Sequence, residues 1–142
     1  MQTPRILIVE DQNILVFVIK SLLHNLGYEV CETARNGRDA IEKAKAVNPD
    51  LVLMDIRLKG TIDGIEASKR IREVMDIPIV YTTGDLNEDL MKSVNEINHT
   101  DWLIKPFGKS ELYEVIERCI NRTKSRFFKQ EIKKGTKITF AA

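Results

Sequence analysis

The sequence predicts an α/β domain, a parallel sheet of five strands covered by helices on both faces. Two observations carry this reading. Short aliphatic runs alternate five times with segments of helical periodicity. The runs Arg5–Val9 and Leu51–Met54 are almost wholly apolar, as strands buried on both faces are.

In order, Arg5–Val9 reads as a strand. Asn13–Leu26 is helical, with Leu15, Val18, Ile19, Leu22 and Leu26 on one stripe, and Gly27 supplies its stop. Tyr28–Thr33 is the second strand. Arg38–Val47 is a helix ended by Asn48-Pro49, because the residue before a proline is biased out of the helical region. Leu51–Met54 is the third strand, and Gly64–Met75 a helix with Asp63 as its cap and Pro78 beyond its end. Ile79–Thr82 is the fourth strand, Glu88–Ile97 a helix, and Asp101–Ile104 the fifth strand. Ser110 can cap a last helix in which Leu112, Val115, Ile116, Cys119 and Ile120 share a face. Five βα units with right-handed crossovers in a chain of this length suit a flavodoxin-like, doubly wound fold with five helices.

At 142 residues the chain is long enough for one domain. Its net charge of +1 hides an asymmetry. Residues 1–121 hold 15 of the 22 Lys+Arg and 20 of the 21 Asp+Glu, a net of −5; residues 122–142 hold the other 7 cations and one Glu, a net of +6. The expected organisation is a domain over 1–122 and a basic C-terminal tail or linker over 123–142. Two cysteines, Cys31 and Cys119, are too few for a disulfide scaffold and are expected as small buried hydrophobes. The longest aliphatic or aromatic run, Ile14–Ile19, has six residues, far below the roughly 20 of a membrane span. No signal peptide is readable, so a cytoplasmic location without membrane contact is expected.

In doubly wound sheets the ligand sits beyond the carboxyl ends of the strands. Those ends carry Glu10 and Asp11, then Asp55, then Thr82 and Thr83, then Lys105 followed by Pro106. Two like charges about 4 Å apart repel by about 4 kcal/mol at an effective dielectric near 20, so three carboxylates on one rim call for protonation or a divalent cation. All-oxygen ligands favour a hard ion, Mg²⁺ before Ca²⁺. Carboxylate, hydroxyl, ammonium and Mg²⁺ together suit phosphoryl transfer, with Asp55, on a central strand, as the nucleophile. Each acid also has an ordinary explanation, since Glu10 and Asp11 could simply cap the first helix.

Glu10-Asp11, Met54-Asp55, Asp63-Gly64, Thr83-Gly84 and Lys105-Pro106-Phe107 together resemble the receiver domain of two-component response regulators, in order, from about Arg5 to Arg122. The resemblance implies the strand order 2-1-3-4-5. It implies that Asp55 accepts a phosphoryl group from a phosphohistidine. Asp11, Asp55 and the backbone carbonyl of Arg57 would bind Mg²⁺, with Glu10 acting through water. Thr83 would hydrogen-bond the phosphoryl oxygen, and Lys105 would pair with the acceptor and then with the phosphoryl group. Lys105–Pro106 would be cis, and Gly84 would leave room for the phosphoryl group. This chain departs from the usual pattern in a longer Asp55–Asp63 loop containing Lys59-Gly60, in Thr82, and in Trp102 at the aromatic switch position.

The resemblance further implies a sensor histidine kinase or phosphotransfer protein as partner. Phosphorylation would pull Thr83 inward, let Trp102 repack, and alter the face formed by the fourth helix, fifth strand and last helix, which could also form a homodimer. On the first helix Phe17 points away from the core stripe and is the expected anchor for the kinase. Arg57 and Asp85 could pair across the pocket and tune the phosphoryl lifetime. The chemistry would be the protein's own phosphorylation and dephosphorylation rather than turnover of a separate substrate. The alternatives are a receiver fragment of a larger DNA-binding or enzymatic regulator, and an interaction module that is never phosphorylated. Nucleic-acid binding is not expected of the acidic body. A flavin binder of the same fold would need a Ser/Thr/Gly-rich phosphate loop after the first strand, where this chain has Glu10-Asp11.

Overall fold

The computed structural model describes residues 3–85, 87, 89, 92 and 100–135. Five parallel strands, β1 (Arg5–Val9), β2 (Glu29–Ala34), β3 (Leu51–Asp55), β4 (Ile79–Thr83) and β5 (Thr100–Ile104), form one sheet of order β2-β1-β3-β4-β5. Among the described residues there are four helices: α1 (Asn13–Asn25), α2 (Gly37–Val47), α3 (Gly64–Val74) and α4 (Lys109–Lys133). Of the helix expected over 88–97, all but residues 89 and 92 lie outside the described residues.

Side chains alternate across the sheet, so each central strand feeds two cores. Leu7, Val9, Val52, Met54 and Tyr81 pack with Ala40 and Ala44 of α2 and with Ile65 and Ile71 of α3. Ile6, Ile8, Leu53, Val80 and Leu103 pack with Ile19 and Leu23 of α1 and with Leu112, Ile116 and Cys119 of α4. The near-continuous apolar character of β1 and β3 is thereby explained, because neither face of these strands meets water.

Local chemistry sets the helix ends. The Asn36 side chain accepts from the Asp39 N–H at 2.8 Å to start α2, and Asn48 ends it in the left-handed region at φ 49. Asp63 caps α3 by accepting from the Glu66 N–H at 2.8 Å, as expected. Two expectations are corrected. In α1, Val18 is 44% exposed while Leu23, absent from the expected stripe, is fully buried. Ile19 and Leu23 lie one turn apart and face the sheet, which turns Val18 outward beside Ile14. The last helix is capped at Gly108, not Ser110, because the Glu111 carboxylate folds back to accept the Gly108 N–H at 3.3 Å and leaves Ser110 inside the first turn.

α4 also runs to Lys133, through the boundary expected at 122, so the basic segment begins as a continuation of this helix. Asp101 of β5 holds Arg118 and Arg122, each at 3.1 Å, and accepts from the Cys119 thiol. Burial alone would raise its carboxyl pKa. The Cys119 thiol and the Arg122 and Arg118 guanidiniums outweigh burial and hold it below the usual carboxylate range. Further along, Arg126 meets Asp76 at 3.4 Å.

Gly64 fixes the approach of α3 to the end of β3. A Cβ at that position would stand 2.1 Å from the Asp55 carbonyl oxygen and 2.9 Å from the Ile56 Cα, neither of which can swing away. Gly64→Ala is expected to lower stability by about 2–3 kcal/mol in urea unfolding. Gly84→Ala, where a Cβ meets nothing within 4 Å, is expected to stay within about 0.5 kcal/mol of the unaltered chain. Equal midpoints for the two variants would contradict this account.

Candidate functional site

The sheet's hydrogen-bond ladder continues past the strand ends and carries the polar residues with it. The Glu10 N–H donates to the Ala34 carbonyl at 3.0 Å, the Ile56 N–H to the Thr82 carbonyl at 3.1 Å, and the Lys105 N–H to the Thr83 carbonyl at 2.8 Å. Asp55 stands opposite Thr82 in register, and Thr83 opposite Ile104. Glu10, Asp55 and Lys105, at the ends of β1, β3 and β5, are thus held by backbone bonds to β2 and β4 before any side-chain contact is made. The Lys105–Pro106 peptide is cis.

At this rim Glu10 and Asp55 are buried, 1% and 4% exposed, and Asp11 is half-buried. Each can offer a carboxylate oxygen within 4.8 Å of the others. The Lys105 ammonium bridges two of them, at 2.6 Å from Glu10 Oε1 and 3.5 Å from Asp55 Oδ2. The other Asp55 oxygen accepts the Arg57 N–H at 3.0 Å, a turn that brings the Arg57 peptide to the rim. Glu10 Oε2 accepts the Gln12 N–H at 3.2 Å.

Burial, reinforced by the Glu10 carboxylate, pushes the Asp55 pKa up to about 6, against the partial relief given by Lys105 and the Arg57 N–H. The donor set fits a small hard cation. Mg²⁺ takes oxygens at about 2.1 Å, so opposite ligands lie about 4.2 Å apart, within the span these three carboxylates cover. Its chemistry there would be to neutralise the oxygens of a transferring phosphoryl group.

The remaining candidates fall as follows. Thr83 is buried, and its hydroxyl is held locally, donating to the Asp85 carbonyl at 3.0 Å and accepting the Asp85 N–H at 3.2 Å. Trp102 is half-buried opposite Tyr81 and packs on the core that faces α2 and α3. Arg57 and Asp85 form an exposed ion pair at 3.2 Å. Lys105 lies closer to Glu10 than to Asp55, which spacing alone does not show. Glu10 and Asp11 do not cap α1 as an alternative reading has it; the N-cap is Gln12, without a side-chain bond, and the first turn contains no acid.

Phe17 is 73% exposed, and Ile14 at 78% and Val18 at 44% flank it. The sequence reading singled out Phe17 and missed the other two, although the i, i+3, i+4 spacing is the signal for a shared face. His24 is exposed, and His99 lies outside the described residues. Cys31 is half-buried, and Cys119, expected as a plain hydrophobe, spends its thiol on Asp101.

Three comparisons bear on this site. Residues 6–117 match the response regulator receiver domain family. The chain is 34% identical over 118 residues to the transcriptional regulatory protein PdtaR of Mycobacterium tuberculosis, covering 83% of this chain and 57% of PdtaR. It therefore spans little more than half of that relative. It is also 34% identical to the chemotaxis protein CheY of Bacillus subtilis, covering 82% of this chain and 98% of CheY. Among solved structures, the receiver domain of the sensor histidine kinase PA1611 from Pseudomonas aeruginosa superposes with a TM-score of 0.75 at 31% identity, over 84% of this chain and 99% of that one, and has a magnesium ion coordinated in its active-site cleft. With the carboxylate cluster and Lys105 at the strand ends that the fold reserves for ligands, these matches make the chain a member of the response regulator receiver domain family.

Proposed function

We propose that the chain is a phosphorylation-controlled switch in which Asp55 accepts a phosphoryl group from the phosphohistidine of a sensor histidine kinase or phosphotransfer protein. The observation that carries this reading is the Glu10–Asp11–Asp55 cluster, with Glu10 and Asp55 buried and braced by Lys105. Asp11, Asp55 and the Arg57 carbonyl are the ligands proposed for Mg²⁺, with Glu10 acting through water. As an Asp55 Oδ bonds to phosphorus, the N–P bond breaks and its electron pair returns to the imidazole. Lys105 is within reach of Asp55 and would follow the charge to the new phosphoryl oxygens. Thr83 would leave the Asp85 backbone to donate to one of them, and Gly84 leaves open space beside it. Trp102, only half-buried, would then repack and alter the face that β5 and α4 present, where output contacts or a homodimer would form.

The receiver would occupy 1–122, with 123–142 as a basic extension whose helical start continues α4. No helix among the described residues is long and apolar enough to cross a membrane, which suits the cytoplasmic setting of this reading.

Asp55 gives a pH signature. Its pKa is about 6 in the fold against an ordinary 3.8, so the folded state disfavours the charged form. The stability associated with this group is fully present below the ordinary value and is lost as pH rises through about 6. A bound Mg²⁺ removes the penalty, so Mg²⁺ is expected to raise the melting temperature more at about pH 7.5 than at about pH 5, and Asp55→Asn to shrink the difference. An equal rise at both pH values would count against the cluster as the metal site.

Trp102 is the single tryptophan and reports directly. Its fluorescence is expected to change with beryllofluoride only when Mg²⁺ is present, and not in Asp55→Asn. Folded protein without such a response would favour an interaction module. Phe17→Ala is expected to slow transfer from the cognate kinase roughly tenfold and to leave labelling by a small phosphodonor unchanged. Equal loss with both donors would remove Phe17 from the kinase contact.

A further inference from the structure

α4 carries a second row of side chains that the core does not use. Its core side, Leu112, Val115, Ile116 and Cys119, is buried against the sheet. On another flank Tyr113, Ile120 and Phe127 recur every seven residues, with Glu117, Lys124 and Glu131 between them at the same period. At about 100° per residue these positions share a sector of roughly 80°. Tyr113 is 47% and Phe127 63% exposed, and Ile120 is half-buried. Arg118, Arg122 and Arg126 lie on the opposite flank, where Asp101 and Asp76 hold them. Apolar positions every seven residues, alternating with charged ones, suit a helix that packs on another helix.

The charges along α4 decide what covers this row, and in which direction. Residues 109–120 hold Lys109 and Arg118 against Glu111, Glu114 and Glu117, a net of −1. Residues 121–133 hold Arg122, Lys124, Arg126, Lys129 and Lys133 against Glu131, a net of +4. A parallel copy of the helix would set +4 against +4. An antiparallel copy sets each basic half on an acidic half. With a two-fold axis at Ile120, Tyr113 meets the partner's Phe127, Ile120 meets the partner's Ile120, and Lys109 meets the partner's Glu131. Glu117 stands within one residue of the partner's Lys124. The row is therefore self-complementary, as a two-fold contact requires. The axis falls within one residue of the midpoint of Lys109–Lys133, so nearly the whole helix overlaps.

We propose that this flank of α4 binds a second copy of the chain as an antiparallel helix pair, without need of phosphorylation. Lys124, Phe127 and Glu131 all lie in the basic segment, so the continuation of α4 past residue 122 supplies half of the surface. The pair leaves the β5 side of α4 uncovered, because Asp101 ties the opposite flank of the helix to β5.

The test is sedimentation equilibrium on the unphosphorylated full chain from about 1 μM to about 1 mM, with the mass expected to pass from one chain to two. Phe127→Ser and Lys124→Glu, both at exposed positions, are each expected to raise the dissociation constant roughly tenfold. Adding Glu117→Lys to Lys124→Glu exchanges the paired charges and is expected to bring it back to within about threefold of the unaltered chain. Glu117 also accepts from the Tyr28 hydroxyl, so a second exchange that spares this bond guards against poor folding. Glu131→Lys is expected to weaken the pair, and adding Lys109→Glu to restore it. Ile104→Ser, at an exposed position on β5, is expected to change nothing. The mass of one chain at every concentration overturns the proposal. Loss of the dimer with Ile104→Ser but not with Phe127→Ser also overturns it, by moving the contact to the β5 side. If the folded double variants pair no better than Lys124→Glu and Glu131→Lys alone, the antiparallel register is wrong.

Discussion

The contact between Lys105 and the buried Glu10 and Asp55 is the constraint on which the rest of this site depends. Burying two carboxylates beside a third is unfavourable unless cations and N–H donors stand within bonding distance. The chain supplies one ammonium and two backbone N–H groups, from Gln12 and Arg57. That is not enough to return Asp55 to an ordinary acidity. The site is built with a deficit of positive charge, and the deficit is what would favour a divalent cation there.

Such a deficit survives only on a scaffold that cannot relax around it. Glu10, Ile56 and Lys105 all belong to ladder hydrogen bonds that extend the sheet by one residue beyond its strands. Gly64 lets α3 press on the Asp55 carbonyl, and two separate apolar cores fix the sheet from both faces. Movement that would separate the carboxylates would also break ladder bonds and open cavities. The stabilising free energy thus comes from residues far from the chemistry, and the unfavourable part is confined to a few side chains.

Most of this was legible in the chain because it depends on strand ends. A run of buried strand followed by a polar residue marks its position within a residue or two, and four such runs put Glu10, Asp11, Asp55, Thr83 and Lys105 on one rim. The orientation of α1 was less legible. Ile14 to Ile19 is apolar around most of the helix, so periodicity does not decide whether Val18 or Leu23 faces the sheet. The Gly108 cap depends on Glu111 turning back, a rotamer choice that spacing does not reveal. The bond of Lys105 to Glu10 and the grip of Asp101 on Arg118 and Arg122 join residues 17 to 95 positions apart. Such pairs depend on tertiary geometry and leave no local pattern.

The charge asymmetry of the chain has a structural counterpart at Asp101 and Asp76. Arg118, Arg122 and Arg126 recur at near-helical spacing on α4, and each finds an acid of the body. Two cations of the basic segment, Arg122 and Arg126, are therefore spent on holding the helix to the body. Exposed pairs such as Arg126–Asp76 contribute about 0.2–1 kcal/mol each, whereas the Asp101 carboxyl is mostly shielded and binds two guanidiniums. The attachment of α4 is therefore firm at β5 and weaker toward Lys133. On the proposed reading, repacking of Trp102, which is Asp101's immediate neighbour, would act on α4 at its firm end and be transmitted along the helix to the basic residues that follow.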